Sequence, residues 1–222
     1  MQLKELYNIF ARHKEGQWII EAQNAIQLYD FVKEQSITRV LDLGTGIGCS
    51  AAIVAFALKE KGVDYHIDTV EHLDKCINLA KELIPKDLQE HITFHKSGVK
   101  FWQTDKIPYQ YYSNYDTIPE GGYDLIINDG PPPILENDKW IEIPNGTVTE
   151  MLLSDKIKPK TIIVFDGRPE SFNTLQRYFT DNFKLVKTPQ QRFRVIRRQE
   201  NPVLFKDEIL EGMKQSSYFK DL

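Results

Sequence analysis

The sequence runs to 222 residues, 41% of them hydrophobic, with 28 basic and 32 acidic side chains and a formal net charge of -4. That size suits one domain with at most a small appendage, built around a single core. The mildly acidic balance gives no overall attraction to nucleic acid or anionic lipid, and two cysteines cannot make a disulfide framework. Cys49 and Cys76 lie in periodic segments and read as buried thiols of a reducing, cytoplasmic compartment. The opening MQLKELYNIFARHKEGQW is charged throughout, unlike a secretory leader. No apolar run approaches the ~18 residues that a bilayer requires.

In chain order, Leu3, Leu6, Tyr7 and Phe10 predict a first helix over 1–15, broken by Gly16. Ile19, Ala22, Ile26, Tyr29 and Val32 predict a second over 18–35, with that stripe facing the core. Strand and helix then alternate. Strands are expected at 39–43, 66–70, 91–95, 123–128 and 161–165, several of them continuous apolar runs of the kind buried parallel strands need. Helices are expected at 48–60, 74–84, 147–157 and 170–181, and late strands at 183–187 and 193–198. Thr147 and Glu150 have capping-box spacing. The pattern is an open α/β sheet covered on both faces.

Two stretches leave the alternation. Residues 99–122 crowd Phe101, Trp102, Tyr109, Tyr111, Tyr112 and Tyr115 among turn residues, and 130–146 follows a strand directly. Both read as insertions or lids near a strand end, with Trp18 and Trp140 as lid candidates and the tyrosines as candidate acceptor contacts. RFRVIRR at 192–198 reads as an edge strand with its arginines in water, not as a nucleic-acid site. His13, His66, His72, His91 and His95 show no metal-ligand spacing.

The chemistry concentrates at LDLGTGIG, residues 41–48. Ligands of open α/β sheets sit beyond the carboxyl ends of the strands, and glycine lets a ligand approach the backbone there. A dinucleotide site wants G-x-G-x-x-G, whereas Gly44, Gly46 and Gly48 follow G-x-G-x-G behind Asp42. An acid at the strand end repels a pyrophosphate and attracts an ammonium group. Glu71 ends the second strand, where a carboxylate can accept ribose hydroxyls. The two acids bracketing the turn suit S-adenosylmethionine better than NAD.

VLDLGTGIG resembles motif I of the class I S-adenosylmethionine-dependent methyltransferases, (D/E)-x-G-x-G-x-G, at Asp42, Gly44, Gly46 and Gly48. YDLIINDGPP resembles their motif IV, with Asp129 on the acidic position. The resemblance spans about 38–198. It implies a Rossmann-like class I methyltransferase fold: a mostly parallel seven-stranded sheet with helices on both faces. An N-terminal helical extension (1–37) would precede that domain and a tail (199–222) would pack on it. By the same resemblance Thr45 and the motif I glycines hold the methionine part, and Glu71 binds the ribose with His72 near the adenosine. Ser97 and Gly98 fall at the adenine turn, in place of a frequent acidic or amide residue. Asp42 either meets the ammonium group directly or orients backbone amides.

Asp129 and Asp166 end adjacent strands, each before a glycine, and either could serve as general base, while Arg168 could clamp an anionic acceptor. These aspartates also match two ligands of the metal-dependent O-methyltransferases. Gly167 stands where that branch has an amide ligand, and Pro131 and Pro132 follow in place of its lysine, so Mg²⁺ is open but not favoured. The expected function is methyl transfer to a small molecule, at oxygen rather than nitrogen, since the Asn/Asp-Pro-Pro-Tyr signature is absent. An aminopropyltransferase like spermidine synthase and a non-catalytic cofactor-binding module are the alternatives. No nucleic acid or membrane partner is expected, and a homo-oligomer is left open.

Overall fold

The centre of the molecule is a sheet whose strands alternate side chains between two apolar layers. The computed structural model describes residues 1–103, 108–112, 118–119, 122–153, 156–179, 183–187 and 193–199. The side chains of 102–103, 108–112, 153, 178, 186–187 and 193 fall outside the description, and so do the expectations resting on Trp102, Tyr109, Tyr111, Tyr112, Tyr115, Arg192 and the tail beyond Gln199.

Helix α1 (Leu3–Ala11), a 3₁₀ turn (Gly16–Trp18) and α2 (Ala22–Glu34) precede the sheet. Then follow β1 (Arg39–Leu43), α3 (Cys49–Lys61), β2 (His66–Glu71), α4 (Asp74–Leu83), the short α5 (Lys86–Gln89) and β3 (Ile92–Lys96). A hairpin of β4 (Val99–Gln103) and β5 (Pro108–Tyr112) leads to β6 (Leu125–Asn128), and a second hairpin of β7 (Ile134–Glu136) and β8 (Lys139–Ile141) leads to α6 (Gly146–Leu153). The chain ends its described part with β9 (Ile162–Asp166), α7 (Pro169–Phe179), β10 (Phe183–Lys187) and β11 (Phe193–Arg198). Seven strands form one sheet in the order β10-β11-β9-β6-β1-β2-β3, parallel except for β10 and β11. This is the Rossmann-like class I methyltransferase fold.

Strand parity fixes what faces what. Val40, Leu125, Ile127, Ile162 and Val164 pack with α1, α2 and α3, whereas Leu41, Leu43, Ile126, Ile163 and Phe165 pack with α6 and α7. Period-2 alternation then sends Asp42 and Asp166 to the α1–α3 side. Helix α3 is buried without interruption from Cys49 to Leu58, because it lies between the sheet and the N-terminal helices.

Three expectations need correction. The buried face of α2 is Asn24, Ala25, Leu28, Phe31 and Val32, while Ala22 is exposed and Ile26 is 45% exposed. The stripe through Ile26 also had helical spacing, but Leu28 and Phe31 offer more apolar bulk one step round the helix. Helix α6 is capped by Asn145, whose Oδ1 accepts the Thr147 N–H at 2.8 Å, so Thr147 lies inside the first turn and is not its cap. Strand β11 is no edge: it runs antiparallel between β9 and β10. Its Arg194 lies over the Phe172 ring, Arg197 donates to Gln35 Oε1 at 2.8 Å, and Arg198 is buried. The segments at 99–122 and 130–146 each contain a hairpin; the second turns at Asn137 and Asp138, both with positive φ, as a two-residue hairpin turn requires.

Away from the strand ends, buried Asp68 of β2 gathers a polar cluster. It accepts from His95 Nε2 at 2.8 Å, Tyr123 Oη at 3.1 Å and Arg39 Nη2 at 3.4 Å, with His66 Nε2 at 3.4 Å. Burial pushes its carboxyl up, but the His95 hydrogen bond, the His66 charge and the Tyr123 hydroxyl together bring it below the usual 3.8. A carboxyl lowered in the folded state stabilises above its unfolded value, and that contribution fades as pH falls through the folded one. Asp68→Asn is therefore expected to cost about 2–3 kcal/mol at neutral pH. Urea unfolding of both proteins at neutral and acid pH checks this, with the gap closing at acid pH.

Candidate functional site

The turn after β1 sits at the topological switch point, where the sheet grows toward β2 on one side and β6 on the other. Its three glycines serve different ends. Gly44 has φ 115°, and a Cβ there would stand 2.7 Å from the Gly130 nitrogen, so backbone meets backbone between the β1 and β6 loops. Gly48 has φ 93°, and a Cβ would press on Ile84 and Ala80, so it permits α3 and α4 to pack closely. Gly46 is different: nothing lies within 4 Å of where its Cβ would be. Its missing side chain leaves open space beside the turn.

Asp42 lies beneath this turn, fully enclosed. Thr69 Oγ1 donates to it at 3.0 Å and Ser50 Oγ at 3.2 Å, and Thr69 is in turn 2.5 Å from Thr45 Oγ1. Burial raises its carboxyl to about 7, with the Glu71 charge adding to the rise. So enclosed, it acts through the side chains and backbone around it.

Glu71, at the end of β2, is buried against the same turn. Its Oε2 accepts the Gly46 N–H at 2.9 Å, and its Oε1 accepts the His72 and Leu73 N–H groups at 2.8 and 3.0 Å. Burial works to raise its carboxyl, but these hydrogen bonds and His72 outweigh that and keep it ionised. A carboxylate offers about four lone-pair sites, so these three bonds leave little beyond the outer side of Oε2 for a ribose hydroxyl.

At the ends of β6 and β9 stand Asp129 and Asp166. Asp129 is tied to β1 through its N–H, which donates to Leu43 O at 3.0 Å. Its Oδ1 lies 3.5 Å from Arg168 Nε, and Arg168 Nη2 donates to its main-chain carbonyl. Burial raises the Asp129 carboxyl well above its ordinary value; Arg168 opposes that, and the Asp166 and Asp42 charges add to it. Asp166 Oδ1 accepts the Asn24 amide at 2.7 Å. Helix α2 thus reaches across 142 residues of sequence to hold a carboxylate at the mouth of the sheet.

A cavity of about 270 Å³ opens here, bounded by Gly46, Cys49, Lys75, Asp129, Trp18 and Glu15, among others. Gly44, Thr45, Gly46 and Asp129 of the expected site line it; Asp42, Gly48, Glu71, His72, Ser97, Gly98, Asp166 and Arg168 do not. Ser97 is buried, with its N–H on the Glu71 carbonyl at 2.9 Å, which sets the turn at Ser97 and Gly98 directly beside the end of β2. The N-terminal segment roofs the cavity. Lys75 Nζ meets Glu15 Oε1 at 2.6 Å, and Trp18 meets Trp140 edge to face with ring centroids 5.8 Å apart. The two lid candidates, far apart in sequence, are therefore neighbours, though only Trp18 lines the cavity.

Residues that sequence reading missed fall into two groups. Ser50, Thr69 and Asn24 are polar side chains inside helix or strand patterns, and no local signal marks their partners. Asn145 and Glu142 sit in the loop before α6: Asn145 Nδ2 donates to Asn128 Oδ1 at 2.7 Å, and Glu142 accepts the N–H groups of Glu170 and Ser171, each at 3.0 Å, capping α7. Their sequence signal was an acid and an amide beside Pro144, legible only as a loop.

Comparison with known proteins agrees with this fold. The family model described as Protein-L-isoaspartate(D-aspartate) O-methyltransferase (PCMT) matches residues 11–120, the part that carries the Gly-rich turn and Glu71. No curated protein sequence matches the chain. Among solved structures, the S-adenosylhomocysteine-bound methyltransferase PaMTH1 of Podospora anserina is 14% identical with a TM-score of 0.63, over 90% of this chain and 88% of that one. The O-methyltransferase TomG of Streptomyces achromogenes, in complex with S-adenosylmethionine, is 13% identical with a TM-score of 0.58, over 89% of each chain. An O-methyltransferase of Bacillus cereus, in complex with S-adenosylhomocysteine, is 14% identical with a TM-score of 0.56, over 89% and 90%. Shared architecture and the family match over the cofactor half lead to one assignment: the chain belongs to the class I S-adenosylmethionine-dependent methyltransferases.

Proposed function

We propose that this methyltransferase acts on an oxygen atom of a small molecule held between the Asp129 loop and the N-terminal roof. One observation carries the reading: Gly46, open where a Cβ would stand, and Asp129 line the same cavity. The residues fit S-adenosylmethionine. Gly46 leaves room for a ligand against the backbone, the ionised Glu71 presents Oε2 toward a ribose, and Asp42 steadies the turn from below through Thr69 and Ser50. When bound, the cofactor supplies a methyl group on a sulfonium, whose bonding electron pair stays with the sulfur.

The chain's own part is to align and deprotonate. Asp129 accepts the proton of the acceptor hydroxyl, and its raised carboxyl brings it closer to the pH at which a base both holds and releases a proton. Trp18 and the Lys75–Glu15 pair border the cavity on its N-terminal side. Oxygen is favoured over nitrogen because an acid with a raised carboxyl suits hydroxyl deprotonation, and the loop reads Asn128-Asp129-Gly130-Pro131-Pro132 in place of the amino-directed signature. The PCMT model ends at residue 120, before Asp129 and Asp166, so it bears on the cofactor half and leaves the acceptor to those loops.

A panel of phenols, catechols, carboxylic acids and amines with methyl-tritiated S-adenosylmethionine tests the reading. Base-stable label identifies an ether and base-labile label a carboxyl ester, whereas label on amines alone would refute oxygen transfer. Glu71→Ala is expected to weaken S-adenosylhomocysteine binding by about 1.5–3 kcal/mol, measured by calorimetry. Unchanged affinity in a folded variant would reject the ribose role. Asp129→Asn is expected to lower turnover by about 10²–10⁴-fold while changing S-adenosylhomocysteine affinity far less.

A further inference from the structure

Two carboxylates end the adjacent strands β6 and β9, Asp129 lining the cavity and Asp166 outside its lining, and both are already engaged. Asp129 faces the Arg168 guanidinium, with Nε 3.5 Å from Oδ1 and Nη2 on the Asp129 carbonyl. Asp166 Oδ1 holds the Asn24 amide. Arg168 itself is fixed: its side chain is only 12% exposed, and its carbonyl accepts the Phe172 N–H at 3.1 Å at the head of α7. A guanidinium anchored at both ends in a poorly solvated place exerts its charge strongly.

A divalent ion finds a poor set of ligands here. Magnesium asks for a near-octahedral shell of oxygens, usually from carboxylates and retained waters. Gly167, between the two groups in sequence, contributes no side chain, and among the described residues no three His, Cys, Asp or Glu side chains converge to hold a metal. An ion bound at Asp129 would also stand against the positive charge of Arg168. The donor set does not fit the magnesium that the O-methyltransferase resemblance raises.

We propose that Arg168 is the resident cation of the acceptor site, balancing and orienting the Asp129 carboxylate where a divalent metal would otherwise be required. The inference rests on the reading of Asp129 as the acceptor-side acid. It makes Arg168 a positioning residue, acting on the acceptor through Asp129. Lysine at the same position would keep the charge but lose the two-point hold on carboxylate and carbonyl.

Manganese titration followed by electron paramagnetic resonance tests this on the full chain, with S-adenosylhomocysteine calorimetry of the same samples with and without EDTA. Wild type is expected to show no saturable manganese site up to about millimolar concentration, and Arg168→Lys the same. Arg168→Gln, stripped of the cation, is expected to bind manganese at least about tenfold more tightly than wild type, and the added Asp129→Asn change is expected to abolish that gain. Saturable binding by wild type that Asp129→Asn removes would overturn the proposal without any need for the Arg168 variants. So would an Arg168→Gln protein that still binds S-adenosylhomocysteine but gains no manganese affinity. Failure of wild type to bind S-adenosylhomocysteine would instead strike the methyl-transfer reading, because the manganese titration needs neither cofactor nor acceptor.

Discussion

The arrangement depends on backbone meeting backbone at the sheet's switch point. A side chain at Gly44 would collide with the Gly130 nitrogen and Cα and with the Asp129 carbonyl carbon. Without one, the glycine turn after β1 and the Asp129–Gly130 loop lie against each other. That contact sets the distance between whatever rests on Gly46 and the Asp129 carboxylate. Methyl transfer is an in-line displacement whose rate depends steeply on how the reacting atoms are aligned. The close backbone approach at Gly44 therefore fixes the spacing of the two loops on which such a transfer would depend.

Acid groups are distributed around this contact with different fates. Asp42 is enclosed and its carboxyl is raised to about 7, Glu71 is lowered against its burial by the His72 side chain and then by backbone N–H groups, and Asp129 is raised by burial against the pull of Arg168. Three carboxylates within one small region repel one another, and each has a local device that settles its charge: two hydroxyls for Asp42, His72 and main-chain amides for Glu71, a guanidinium for Asp129. Only Asp129 of the three lines the cavity, whereas Asp42 and Glu71 brace the turn from outside it.

The sequence was legible where period and position decide structure. The strands and their order of appearance followed from apolar runs, and the glycine spacing with Asp42 and Glu71 pointed to the strand ends where the cavity lies. Legibility failed where two helical stripes compete, as in α2, and where a partner is remote. Asn24 is an ordinary polar residue until the fold brings Asp166 beside it, and the Trp18–Trp140 contact joins a roof to a hairpin that share no local pattern. The insertion of β11 between β9 and β10 was hidden for a similar reason. Arginines suggest a wet edge, yet here an aromatic ring, a glutamine and burial accommodate them inside the sheet.

Glu142 couples parts that the chain keeps apart. It belongs to the β7–β8 hairpin segment, yet its carboxylate caps the start of α7, two residues from Arg168. The same helix start also holds Asn145 through Ser171 Oγ. Hairpin segment and Arg168 are thereby braced as one unit, which meets the glycine turn through the backbone of Asp129 and Gly130. A lineage that lengthened or reshaped the β7–β8 tip to admit a different molecule could do so beyond this brace, leaving the charge at Arg168 and the grip on the nucleoside undisturbed.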